Sequence, residues 1–336
     1  MEKYTNYRDR GTGISPFMPI HPSKHGSIFK TVQWTIFIVK MVLLLPLIVF
    51  SVGGNFTGSM IYLLMKLVFN YSVDVTVQGK RRRAVSRKTD YPRRGNLYLC
   101  NYTSVLDALV CRIIAQDTSV LFLVAFQNKI YGMRIWSFIR YTLAQSDIAK
   151  YGEKIDVWKD VCDNYTCFMF PEGVTSNGKS VLPFEIEDAR LKQFILGEDV
   201  VSAKKKRKST TTSATASMRD KIGGYKGNGD SSSDGKDIKN LIQWCQIKHT
   251  PSTLTVPVPK SGFEFFKTLL YVTKPYSKCK ITPPDVAVGY DSGSGSSTSS
   301  ITAHGRVILN GGQAPVARTL NAAQKAQFIA EWGARM

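Results

Sequence analysis

The chain has 336 residues, enough for two domains or for one large domain with additions. Its 43% hydrophobic content and 21% charged content exclude wholesale disorder. Lys+Arg 45 against Asp+Glu 25 gives a net charge of +20. A field that basic calls for an anionic partner: a membrane surface, nucleic acid or phosphorylated small molecules. Six cysteines without a C-x-x-C pair exclude a disulfide scaffold and a zinc ribbon, and read as small buried hydrophobes of a reduced protein. His21, His25, His249 and His304 are scattered, so no metal site is expected.

Residues 1–30 are polar and carry Arg8, Arg10, Lys24 and Lys30, which does not fit a cleaved signal peptide. Thr31 to Val52 is an apolar run, long enough at ~1.5 Å per residue to cross a core of ~30 Å, with Lys40 and Pro46 inside it. Gly53, Gly54, Asn55 and Gly58 break the run. Met60 to Phe69 follows and reaches only ~15 Å as a helix. Basic residues precede the first run, and eight more lie between Lys80 and Arg94. Positive charge on both flanks places both ends on the cytosolic side. The expectation is a helical hairpin over 31–70, seated in one leaflet or in a lipid-droplet monolayer. One transmembrane helix with one buried helix is the alternative. Lys80, Arg81, Arg82 and Arg83 would then lie on anionic head groups, contributing ~1 kcal/mol each near the surface.

Alternation predicts a strand at 73–77, and apolar runs predict strands at 96–100, 120–125 and 166–170. Helices are expected at 104–115, over 129–142 and within 182–196, and TLTVPV at 253–258 reads as a further strand. Strands alternating with helices argue for an α/β architecture with a largely parallel sheet. Residues 202–237 and 289–300 are low-complexity and read as a flexible insertion and a linker. KKKRK at 204–208 has the look of a nuclear-localisation tag, but beside a hydrophobic anchor it reads better as a solvated loop. The tail, 301–336, is amphipathic from Val316 to Trp332 with Leu320, Phe328, Ile329 and Trp332 on its apolar face, suited to docking on the core or to a membrane or partner contact. No recognisable DNA- or RNA-binding module accompanies the charge, so nucleic acid is not the expected partner.

Two stretches carry the chemistry. Asn101-Tyr102-Thr103-Ser104-Val105-Leu106-Asp107 follows a strand and opens a helix. Phe170-Pro171-Glu172-Gly173-Val174-Thr175-Ser176-Asn177-Gly178-Lys179 follows a buried strand. The C-terminal ends of parallel strands are where α/β proteins build sites. Backbone N–H groups at Gly173 and Gly178, with Lys179, would suit a phosphate; an ordinary polar turn is the plainer account.

These stretches resemble the glycerolipid acyltransferase family, which includes lysophosphatidate and glycerol-3-phosphate acyltransferases. FPEGVTSNGKSVLPF is similar to that family's FPEGTxSxxG motif, and NYTSVLD to its NHxSxxD motif except that Tyr102 stands where the family has histidine. The resemblance covers roughly residues 73–260 and the N-terminal helices. It is nearest to a fungal branch in the opening MEKYTNYRDRGTGISPF, the missing histidine, the GKSVLPF extension and the LNGG near the C-terminus. It implies an acyltransferase domain over 71–288, acyl-CoA as co-substrate with no other cofactor, and a lysophospholipid acceptor, most simply lysophosphatidate. It further implies a place on the endoplasmic reticulum membrane and lipid-droplet surface. Asp107 would orient the base. Glu172 and Gly173, with Phe170, Pro171, Thr175, Ser176, Gly178 and Lys179, and Asn101 and Ser104 from the first loop, would hold the acceptor. Pro257 would match the family's last motif. Lys150 is the nearest stand-in for a phosphate-binding arginine of the family.

The family histidine takes the proton of the acceptor hydroxyl. An unperturbed tyrosine is about one part in a thousand ionised at pH 7, a handicap of ~4 kcal/mol. Three readings stay open: Tyr102 as phenolate or proton relay, a base supplied by Asp107 or His249, or a lipid-binding fold without catalysis.

Overall fold

In the computed structural model, residues 2–21, 26–52, 57–197, 241–284, 300–312, 316–317 and 319–333 are described. The 202–237 insertion with its KKKRK run, and all but the last residue of the 289–300 linker, lie outside them. Eight strands form one sheet: β1 (Ser72–Val77), β2 (Leu97–Cys100), β3 (Val120–Phe126), β4 (Lys129–Met133), β5 (Glu153–Lys154), β6 (Thr166–Phe170), β7 (Ile242–Thr250) and β8 (Tyr276–Thr282). Their spatial order is β1-β8-β7-β2-β6-β3-β4-β5. The central β7-β2-β6-β3 strands run parallel, while β8 is antiparallel to β7 and β4 to both β3 and β5. β1 is parallel to β8. The α/β expectation with a mostly parallel sheet is met.

Helices cover both faces: α1 (Ser27–Val52), α2 (Gly58–Phe69), α3 (Arg87–Asp90), α4 (Leu106–Ile114), α5 (Ile135–Ala144), α6 (Lys159–Cys162), α7 (Asp188–Leu196), α8 (Gly262–Tyr271), α9 (Ile301–Leu309) and α10 (Ala322–Gly333). β2 and β6 are fully buried and β3 is buried up to Ala125, which is why these three read as continuous apolar runs. Two apolar clusters lie on the two sides of the sheet. One gathers Tyr98, Leu106, Phe122, Phe138 and Phe168, and the other Leu99, Leu123, Met169, Phe194 and Trp244.

Two expectations are corrected here. The helix expected over 129–142 begins only at Ile135, because Gln127 and Asn128 both adopt positive φ (47° and 62°). They form the two-residue turn of a hairpin, and Lys129–Met133 folds back antiparallel on β3 with Phe126 opposite Lys129. The strand expected at 253–258 is a short 3-10 turn, Ser252–Leu254, followed by irregular chain. The strand precedes it, at Ile242–Thr250, and Pro251, Pro257 and Pro259 supply no N–H for a ladder.

α1 and α2 pack against each other and against α8. Trp34 and Phe37 stack around Phe266, Phe69 joins them, and the Trp34 Nε1–H donates to Tyr271 Oη at 3.1 Å. Lys40 Nζ donates to the Val68 carbonyl at 3.2 Å. Among the described residues no helix is long and apolar enough to cross a membrane. The outward side of α1 carries Ile28, Val32, Ile36, Val39 and Leu43, all exposed, at helical spacing, with Leu63 and Leu67 of α2 and Phe263 of α8 nearby in kind.

The polar N-terminal segment and the tail build a third core cluster together. Tyr7 and Phe17 pack with Leu182, Val258, Leu320 and Phe328. Tyr7 Oη donates to Glu331 at 2.7 Å, and the Ala317 N–H donates to Asp9 at 3.1 Å.

Candidate active site

The parallel strands β2, β6 and β7 have their C-terminal ends side by side, and both motif loops leave from those ends of β2 and β6. β7 runs on past the end of β2, since Cys100 is opposite Cys245 while β7 continues to Thr250. The Asn101 side chain extends the ladder across this gap. Its Nδ2 donates to the Ile247 carbonyl at 2.8 Å, and its Oδ1 accepts from the Ile247 N–H at 2.6 Å. Asn101 is therefore a strand-end clamp.

Asp107, in the first turn of α4, closes the first loop. Its Oδ2 accepts from the backbone N–H groups of Thr103 and Ser104 at 2.7 and 2.8 Å. Its Oδ1 lies 2.7 Å from His249 Nε2, on the overhanging end of β7. The other imidazole nitrogen, Nδ1, is 2.6 Å from Ser277 Oγ, which in turn is 2.5 Å from Tyr71 Oη. The donor and acceptor roles along this row follow the imidazole tautomer: with Nε2–H donating to Asp107, Nδ1 accepts from Ser277 and Ser277 accepts from Tyr71. All four side chains are buried. Sequence separates His249 from Asp107 by 142 positions, and only the sheet register brings them together.

Tyr102 is fully buried between Phe138 and Phe170, with ring centroids 5.2 and 5.0 Å away. Its Oη is 2.8 Å from Thr142 Oγ1, and its ring does not hydrogen-bond to Asp107. Burial pushes the phenol well above its ordinary pKa, with the Tyr141 and Asp107 charges acting the same way. A phenolate at this position is disfavoured further than in water.

Glu172 ties the two loops. Oε1 accepts the Tyr102 N–H and Oε2 the Leu182 N–H, each at 2.7 Å. Burial raises its carboxyl to about 8, against the lowering effect of those two bonds. Gly173 sits at φ 68° with space for no side chain, since a Cβ would lie 2.3 Å from the Ala125 carbonyl oxygen. The Ser176 N–H donates to the Tyr102 carbonyl at 2.9 Å, and the Asn177 N–H to the Pro16 carbonyl at 2.8 Å. The Gly178 and Lys179 N–H groups bond inside the loop to Ser176 Oγ and Asn177 Oδ1. The N–H groups expected to cradle a phosphate are thus used by the fold, and Gly178 and Lys179 themselves are exposed. Ser104 Oγ donates to the Leu254 carbonyl at 2.6 Å. Val256, beside Pro257, receives Thr175 Oγ1 at 2.6 Å and Gln145 Nε2 at 2.9 Å on its carbonyl, and donates its N–H to Thr103.

A cavity of about 530 Å³ opens beside these loops. Tyr102, Phe126, Tyr141, Ile148, Val174 and Ile329 give it a largely apolar wall. Thr175, Gln145, Asp147, Glu185 and Lys325 supply the polar part. Lys150 is exposed and does not line it. Lys325, from α10, is the lining residue that no motif announced; its signal in the sequence is only a lysine on a helix whose other face is apolar.

No family model matches the chain, and no solved structure matches it. The chain is 34% identical over 338 residues to lysophosphatidic acid:oleoyl-CoA acyltransferase 1 of Saccharomyces cerevisiae, covering 99% of this chain and 97% of that protein. It is 28% identical over 211 residues to a Schizosaccharomyces pombe protein given the same enzyme name provisionally, covering 55% of this chain and 67% of that one. Similarity at this level along practically the whole of both chains takes in the polar N-terminal segment, both motif loops and the tail, so the chain belongs to the lysophosphatidic acid:oleoyl-CoA acyltransferase family.

Proposed function

We propose that the protein transfers the acyl group of an acyl-CoA to the free hydroxyl of lysophosphatidate, forming phosphatidate for glycerolipid synthesis. Acyl-CoA is the co-substrate, and the reaction uses no metal and no further cofactor. The whole-length similarity to the yeast enzyme carries this reading. The meeting of the two motif loops at the Glu172 carboxyl, next to an apolar cavity, supports it. A thioester is an activated donor, so holding the hydroxyl against its carbonyl carbon supplies much of the rate.

The site works at a membrane surface, on the cytosolic side of the endoplasmic reticulum and on lipid droplets. The exposed apolar stripe of α1 and the outward side of α2 favour seating in one leaflet. In the first turn of α2, Ser59 receives Arg87 Nη1 at 3.5 Å, and the helix is capped at its other end by Asn70, just before β1. One end of this platform therefore adjoins the basic stretch holding Lys80, Arg81, Arg82 and Arg83, which are exposed and suited to anionic head groups. The other end adjoins Tyr71 and Ser277 at the site edge.

The test is acyl transfer from oleoyl-CoA to lysophosphatidate by the purified membrane protein, with Glu172→Ala as control and thermal melting to follow folding. Transfer by the natural chain and none by the variant supports the reading. Absence of transfer with lysophosphatidate binding retained would make the protein a lipid-binding relative, a reading that the burial of Tyr102 favours.

A further inference from the structure

Lys325 is 1% exposed and is the one basic side chain among the described residues lining the cavity beside Tyr102. Its Nζ has two partners there, the Thr175 carbonyl at 2.6 Å and Thr175 Oγ1 at 2.8 Å. The Thr175 hydroxyl spends its own proton on the Val256 carbonyl, so towards Lys325 it only accepts. Lys325 therefore donates twice, which uses both N–H groups of a neutral amine and leaves its lone pair. The carbonyl and hydroxyl that hold it belong to the FPEG loop itself, three residues after Glu172.

We propose that Lys325 is the general base of this site, the role that Tyr102 cannot fill. The inference rests on the acyltransferase reading above. The amine takes the proton of the acceptor hydroxyl as that oxygen attacks the thioester carbonyl carbon. The tetrahedral adduct collapses with the C–S bond broken. The resulting ammonium gives its proton to the departing CoA thiolate, and the neutral amine returns. Proton and electron pairs balance with acyl-CoA and acceptor alone.

The surroundings favour the neutral amine. Burial drives the Lys325 ammonium well below its ordinary pKa, and the Glu172 charge, acting the other way, does not offset it. Glu172 is itself held largely protonated near neutral pH by burial. Asp147, just after α5, and Glu185, on the chain between β6 and α7, share the cavity wall, as do the phenols of Tyr102 and Tyr141. Glu331 on the same helix is engaged by Tyr7. His249, by contrast, has both ring nitrogens occupied and does not line the cavity. Its place beside Asp107 is that of a buried brace.

The experiment follows kcat and KM against pH for the natural chain, Lys325→Met, Lys325→Arg and His249→Gln, with melting curves for each. A general base contributes roughly 100-fold to 10,000-fold. Both lysine variants are expected to lose kcat by about that factor with KM changed only a few-fold, because methionine carries no amine and arginine cannot be deprotonated. The natural chain is expected to show an acid limb in kcat that His249→Gln retains. Lys325→Arg with near-natural kcat would overturn the proposal, leaving the lysine a positive anchor. Loss of the acid limb in His249→Gln would overturn it as well, whether or not the lysine variants fold. A natural chain without any transfer would instead overturn the acyltransferase reading.

Discussion

Removing the Tyr102 hydroxyl leaves Thr142 Oγ1 still donating to the Phe138 carbonyl at 2.7 Å. Tyr102→Phe is therefore expected to cost about 1 kcal/mol of stability, read from denaturant melts, and to leave oleoyl transfer within a few-fold of the natural chain. A collapse of kcat would return the phenol to the mechanism. Glu172 makes stability depend on pH. Its carboxyl rises from the usual 4.5 to about 8 on folding, so the native state holds a proton that the unfolded chain has already released. Stability from this group is complete below the lower value and is lost as pH climbs through the higher one. Melting temperature is expected to fall over that interval and to flatten in Glu172→Gln. The two glycines of the loop separate strain from crowding. Both hold φ near +70°, but a Cβ at Gly178 meets nothing closer than 3.5 Å, while at Gly173 it strikes the Ala125 carbonyl. Gly178→Ala is expected to cost about 1–2 kcal/mol, and Gly173→Ala to destabilise more and abolish transfer. At this scale the sequence was legible where a motif spoke. Glu172 and Asp107 stand at the centre of their loops, but Asn101 proved to be a clamp and Lys179 an exposed residue. His249 enters the sequence reading only as a possible base, its pairing with Asp107 carries no local signal, and Lys325 shows no pattern at all, because each reaches its partner through long-range packing.

Among the elements, the buried central strands announced themselves as apolar runs, and the helix after NYTSVLD announced itself through its polar start and acidic first turn. β4 was hidden because KIYGM has no alternation and joins an apolar helix without a break; the local signal was the Gln127-Asn128 turn. β7 was hidden for another reason, since it follows a low-complexity stretch and TLTVPV drew attention past it. α10 was legible as amphipathic, but not what it covers. Phe328, fully buried against Tyr7, Phe17 and Tyr4, holds it in place. Phe328→Ala is expected to cost about 3–5 kcal/mol and, by loosening Lys325, to reduce transfer beyond what the lowered melting point explains. Equal transfer per folded molecule would uncouple the helix from the site.

For the whole molecule, the apolar outward side of α1 is too continuous for a surface left in water. Replacing Val32, Ile36 and Val39 together by Glu is expected to leave the fold intact and to abolish flotation with anionic vesicles. Salt should weaken binding of the natural chain only in part, since screening acts on the basic stretch and not on the apolar stripe. The site has a further property, set by where its parts lie along the chain. Lys325 meets Thr175 across 150 positions of sequence. At ~5–20 residues per second of synthesis, roughly 8–30 s separate the emergence of these two partners. During that interval α1, α2 and both motif loops are already made, while α10 is not. A chain cut short before α10 is thus expected to hold both motif loops but to lack the Lys325–Thr175 contact, and so to show no oleoyl transfer while floating with anionic vesicles as the full chain does.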